Sequence, residues 1–234
     1  MATGSAPPRA QKKRPAKQST TPARKQRANG LASRAAILDA AAQIAGERGY
    51  EGTSIKAVQE RSGLPASSIY WHFKDKDELI AAVIDRSFTD WVEAITATPD
   101  VPADLDPEAV FVTVLRHAGG QLAMFPDFLR LGIMLMLEHR PEEPAARRRF
   151  HEVRDETRTR VQALYRDFFA GLDDSQTRHL AMFTLAASDG LFISADELGL
   201  DLAEEFGLLA HSVLGVARSM GWEPQPVESV GFDR

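Results

Sequence analysis

Apolar residues recur along this chain at three- and four-residue intervals, and no stretch alternates convincingly with polar residues over the length of a strand. Ile37, Leu38, Ala41, Ile44 and Ala45 mark one face of a first helix, with Ser33 as its candidate cap and Gly49 as its stop. Thr53 and Ser54 can cap a second helix over about 54–61. Ser62, Gly63 and Leu64 then form a tight turn, with Gly63 free to take positive φ, and Pro65 suits the first turn of a third helix ending near Phe73. Asp75 or Asp77 opens a fourth helix to about Thr96, and Asp75, Asp77 and Glu78 complement its dipole. Past Pro99–Pro102, helices are expected at about 107–124, 127–138, 142–170, 174–195 and 201–220, so the fold class is all-α.

Within the later helices, Val153, Thr157, Val161, Leu164 and Phe168 read as a packing stripe opposite a charged, solvated face. Segment 129–137 reads as apolar all round, which predicts a buried helix. The last two helices mix large and small apolar residues: Met182, Phe183, Ala186, Ala187 and Leu191, then Phe206, Leu209, Ala210, Val213, Leu214 and Ala217. Such mixtures permit close helix packing.

Charge changes the picture at the N-terminus. Residues 1–30 hold eight Lys/Arg, no acid, and no Leu, Ile, Val or Phe, so they are expected to be a disordered basic arm. The net charge of −5 therefore splits into +8 on the arm and −13 on residues 31–234. A basic arm on an acidic body fits contact with nucleic acid, and it fits a solubilising extension equally. The absence of cysteine excludes disulfides, thiolate nucleophiles and cysteine-bound zinc. No signal-peptide apolar segment opens the chain, and the longest strongly apolar run, Leu131–Leu137, falls far short of the roughly 20 residues that span a bilayer. A cytoplasmic protein with no membrane partner is expected.

The stretch SGLPASSIYWHFKDKDELI, residues 62–80, concentrates the candidate chemistry. At about 100° per residue, Ile69 and Phe73 point one way and Ser67 and Trp71 the other, with Ser68 and Tyr70 flanking. Two short helices joined by a glycine turn, the second with a polar and aromatic outer face, make a helix-turn-helix. In that motif the second helix enters the major groove, where hydroxyls and aromatic edges meet bases. Tyr70, His72 and Lys76 can reach phosphates at its edges. An ordinary helical hairpin with surface aromatics would have the same spacing.

The longer stretch GYEGTSIKAVQERSGLPASSIYWHFKDKDELI, residues 49–80, resembles the N-terminal signature of the TetR family of transcriptional regulators. The likeness runs from Ser33 into the fourth helix. It implies a three-helix DNA-binding domain over 31–80, a larger helical ligand-binding and dimerisation domain over 81–222, and a flexible tail over 223–234. It also implies a homodimer joined through 174–220, a palindromic double-stranded DNA operator and a small-molecule effector. By motif position it implies phosphate contacts from Thr53, Tyr70, His72 and Lys76, and base-side contacts from Ser67, Ser68 and Trp71, with Lys56 added from the second helix. Val58 and Gln59 replace the Ile-Ala frequent in the family, and Pro65 replaces a small polar residue, removing an N–H that could meet a phosphate. Residues 31–90 carry seven Arg/Lys against nine Asp/Glu, which weakens non-specific attraction to DNA.

For an effector pocket the candidates are Phe111, Leu115, Gln121, Phe125, Phe128, Met134 and Phe183, with His117 or Asp189 to orient a polar group. Enzyme signatures are absent: the six histidines are scattered, with no HExxH, GxSxG, GxGxxG or Walker loop. No catalytic residue, metal site or cofactor is expected. A ligand-responsive repressor leads, and a helix-turn-helix protein controlled by a partner protein instead of a small molecule stays open beside it.

Overall fold

The structure, a computed structural model, describes residues 22–97, 105–137 and 145–224. Within them the chain forms nine α-helices and no strand. They are α1 (Pro22–Gly52), α2 (Ile55–Ser62), α3 (Ala66–His72), α4 (Lys76–Thr96), α5 (Pro107–Met124), α6 (Asp127–Leu137), α7 (Ala145–Phe168), α8 (Asp174–Leu198) and α9 (Leu202–Ser219). Local caps fix most boundaries. Ser54 accepts from Ala57 N, Asp75 from Glu78 N and Asp106 from Ala109 N, and Asp173 with Gln176 closes a capping box on α8. Gly63, at φ 69°, ends α2 in the left-handed conformation the turn requires.

The start of α1 departs from expectation. The helix begins at Pro22, so residues 22–30 are helical although they were expected to be disordered. Ser33 is no cap; its hydroxyl donates back to Gly30 O at 3.0 Å, one turn earlier. Residues 27–32 are largely exposed, but the segment 22–32 is rich in Ala, Arg, Lys and Gln, and extending an existing helix is far easier than nucleating one. Residues 1–21 and 225–234, which include the rest of the arm and most of the tail, lie outside the described residues.

Gly49 interrupts α1 near its end with φ 71° and ψ −175°, a conformation essentially reserved for glycine. A Cβ there would also lie 2.5 Å from Met134 Cε on α6. Gly49→Ala is therefore expected to destabilise the protein by about 1–3 kcal/mol, measured as a lower urea midpoint at unchanged slope.

Two apolar cores hold the helices. The first joins Ile37, Leu38 and Ile44 of α1, Val58 of α2, Ile69 of α3 and Leu79, Ile80 and Ile84 of α4 to Leu131 and Leu135 of α6 and Phe150 and Val153 of α7. The N-terminal helices thus share one core with part of the C-terminal half, and α4 runs through residue 80 unbroken. The second core gathers Phe111, Tyr165, Phe169, Leu180, Val213, Leu214 and Trp222, with Phe111 stacked on Phe168 at 4.8 Å.

The sequence misjudged two faces. Helix α6 is not buried all round: Leu129, Leu131 and Leu135 face the core, while Met134, Met136 and Leu137 are exposed. Leu164 lies outside the α7 stripe and is exposed, its place taken by Tyr165 and Phe169. On α9, Phe206, Leu209, Val213 and Leu214 are buried within the chain itself. Among the described residues, no single helix is long and apolar enough to cross a membrane.

Candidate nucleic-acid interface

Helix α3 is held from beneath. Ile69 and Phe73 are buried, and the Arg34 guanidinium sits 5.3 Å above the Phe73 ring. Their burial forces the opposite side outward: Trp71 is 76% exposed, Tyr70 56%, Ser67 is exposed and Ser68 half-buried. This outer face is what the spacing of residues 67–73 predicted. Arg61 ties α2 to α1 by pairing both guanidinium nitrogens with Glu47 at 3.0 and 2.9 Å, and this holds the exposed Glu47 carboxyl below its ordinary range. Lys56 stands free of the surface, with Glu60 4.0 Å away.

Three of the expected phosphate contacts are engaged elsewhere. Thr53 is fully buried, and its hydroxyl donates to Gly49 O at 2.8 Å, so it closes the α1–α2 corner and has no surface to offer a phosphate. Lys76 is only about a quarter exposed. Its ammonium lies 4.1 Å from the centre of the Tyr50 ring, donates to Tyr50 O at 3.2 Å and sits 3.6 Å from Glu51. It therefore closes the end of α1 in addition to facing outward. His72 is half-buried, with Nε2 3.0 Å from the Ser33 hydroxyl. Because Ser33 spends its one proton on Gly30 O, the Nε2 of His72 is the donor. Partial burial and then the Arg34 charge push the His72 pKa down, so the ring is neutral at pH 7.

Sequence reasoning missed the contribution of α1 to this face. Asn29, Gly30 and Ser33 line one groove of about 500 Å³ with Ser67, Ser68, Trp71 and His72, and the Trp71 ring edge approaches Gly30 to 3.9 Å of where a Cβ would stand. No apolar periodicity marks residues 22–33, so no sequence signal placed them beside α3.

The pocket candidates do not converge. Phe111 and Leu115 belong to the second core and Phe128 to the first, where it packs against Phe88 and Trp91. Phe183 is 41% exposed on the outer side of α8, and Met134 seats against Gly49. Gln121 and Phe125 meet at the end of α5, where Phe125 N donates to Gln121 O. The His117 ring nitrogen lies 3.1 Å from Ala94 O, and Asp189 forms a two-point pair with Arg154 at 2.9 and 2.6 Å. Burial raises the Asp189 pKa, and the Arg154 charge opposes that rise.

Residues 37–83 match the sequence model of the bacterial regulatory proteins of the tetR family. Over 65 residues the chain is 34% identical to the HTH-type transcriptional regulator AcrR of Shigella flexneri, covering 28% of this chain and 30% of that one. Over 109 residues it is 32% identical to the HTH-type transcriptional repressor Rv1353c of Mycobacterium tuberculosis, covering 46% of this chain and 39% of the other. The chain thus spans less than half the length of these relatives. Solved structures extend the likeness in fold. A TetR transcription regulator from Haloarcula marismortui superposes with TM-score 0.60 at 21% identity, over 81% of this chain and 98% of that one. The regulator FadR of Bacillus subtilis, solved in complex with stearoyl-CoA, superposes with TM-score 0.57 at 19% identity, over 78% and 96%.

Proposed function

We propose that this chain, a TetR-family transcriptional regulator by its N-terminal domain, is a dimeric repressor that holds a palindromic operator and releases it when a small molecule binds the C-terminal half. One observation carries the reading: α3 keeps Ser67, Tyr70 and Trp71 in solvent while Ile69 and Phe73 are locked beneath them. A soluble chain gains nothing in its own fold from that arrangement, and a major groove supplies the missing partner. Ser67, Ser68 and Trp71 read bases, Tyr70 holds a phosphate from the groove edge, and Lys56 reaches a phosphate from α2. Asn29 and Ser33 widen the same face from α1.

The exposed apolar sides of α8 and α9 support the dimer. Met182, Phe183, Ile193 and Leu208 are exposed, with Ala186, Gly190 and Gly215 leaving room for close approach. For the effector, a groove of about 440 Å³ opens where the α5–α6 and α8–α9 junctions meet. Phe192, Ala195, Leu200 and Leu202 give it apolar walls, and Arg130 and Asp201 give it charge. That lining suits an amphipathic molecule, the class to which the stearoyl-CoA in the FadR structure belongs. Such a molecule releases DNA only by binding the DNA-incompetent arrangement more tightly. The protein would work in the cytoplasm, where its operator is.

Selection from randomised duplexes tests the reading. Recovery of two inverted half-sites centred about one or more helical turns apart is expected, and failure to enrich any sequence would overturn it. The same operator then tests the arm. Residues 1–21 carry five Lys/Arg, and each phosphate they neutralise adds about 0.9 to the slope of log K against log salt. Removing them is expected to flatten that slope and leave the preferred sequence unchanged; an unchanged slope means the arm does not touch DNA.

A further inference from the structure

One carboxylate joins three helices that belong to the two functional halves. Asp77, in the first turn of α4, accepts from the backbone N–H groups of Ala145 and, at 3.3 Å, Ala146, the first residues of α7. Its Oδ1 also accepts from the buried Tyr50 hydroxyl at 3.2 Å. The first N–H groups of a helix lack partners within the helix, and a negative charge there also complements the helix dipole. Asp77 therefore caps α7, while Asp75 caps α4 itself. Lys76 closes the set by covering the Tyr50 ring and donating to Tyr50 O.

A second tie lies further along the same pair of helices. Arg149 of α7 donates to Asp85 of α4 from Nε at 3.0 Å and Nη2 at 2.7 Å, and Glu152 and Glu156 hold its remaining nitrogen at 3.1 and 3.0 Å. Between the two ties, Ile80 and Ile84 share the apolar core with Ala146, Phe150 and Val153. Helix α4 follows α3 after three residues, so whatever fixes α4 on α7 fixes the recognition helix on the C-terminal half.

We propose that Asp77 is a positioning residue: by clamping α4 to the start of α7 it sets the separation of the two recognition helices, and so the half-site spacing the dimer accepts. This rests on the dimeric, palindrome-reading function above. One base pair in the spacer moves a half-site by about 3.4 Å and about a tenth of a turn. A rigidly clamped head rejects that displacement, and a loosened head follows it.

The test uses the full chain and the selected operator, with spacers one base pair shorter and longer. In Asp77→Ala, discrimination against the altered spacers is expected to fall by about two- to thirty-fold, with preference for bases inside each half-site unchanged. Asp77→Asn keeps one acceptor oxygen and should recover part of the discrimination. A folded, dimeric Asp77→Ala with the parent's spacing preference overturns the proposal. If circular dichroism shows Asp77→Ala unfolded, Arg149→Gln, which releases the second tie, must loosen spacing in the same way, and unchanged spacing there overturns it too. Failure of the underlying function has a different signature: the parent protein would then yield no inverted half-sites at all, and both readings fall.

Discussion

Leu208→Glu combined with Ile193→Glu is expected to convert the protein to a monomer and to lower operator affinity by about 10²–10⁴-fold. Both residues are about 60% exposed on the outer faces of α9 and α8. Phe183 and Leu208 border a shallow groove of about 440 Å³, in which Gly190, Ser194 and Ser212 present little side chain. A two-fold dimer brings this patch against its own copy, so each new carboxylate is introduced twice, and at close range. The pair must not be placed at Leu209 and Val213. Those side chains are 5% and 0% exposed in the chain's own second core, and charges there would unfold the protomer. Light scattering and operator titration check the outcome, and a dimer that survives both charges with full affinity removes α8 and α9 as the interface.

Helix boundaries after the first were legible where their causes are local. Ser54, Gly63 and Asp75 act within a turn of where they stand, so reading along the chain finds them. The inner and outer faces of α3 were legible for the same reason: a four-residue repeat of Ile69 and Phe73 fixes both sides of a helix at once. Burial partners were not legible. Phe111, Phe128 and Phe183 look alike in sequence, yet one sits in each core and one faces solvent, and only the crossing of distant helices decides which. Asp77 is the sharpest case. Its position predicted service to the dipole of α4, but its partners lie 68 and 69 residues away. The family resemblance implied a phosphate contact at Thr53, and the kink at Gly49 instead folds its hydroxyl inward onto Gly49 O.

Trp71→Ala and Lys76→Ala, five residues apart, are expected to fail in opposite ways. Trp71 is 76% exposed, and its contacts within the chain are an edge against the His72 ring and the approach to Gly30. Removing it should leave the unfolding midpoint nearly unchanged, as surface substitutions usually do. On the operator it should cost about 1–3 kcal/mol, roughly five- to 150-fold, and relax preference at the base it meets, with little loss on scrambled DNA. Ser67→Ala should follow the same pattern. Lys76 differs because its ammonium is committed to the Tyr50 ring, the Tyr50 carbonyl and Glu51. Lys76→Ala should lower the unfolding midpoint as well as weaken every sequence alike, because it loosens the α1–α4 corner beneath the recognition helix. Affinities on operator and scrambled duplexes, taken beside urea unfolding of each variant, separate the two. If Trp71→Ala unfolds the domain while each folded molecule still binds its operator, Trp71 is a packing residue and base reading must come from elsewhere on α3.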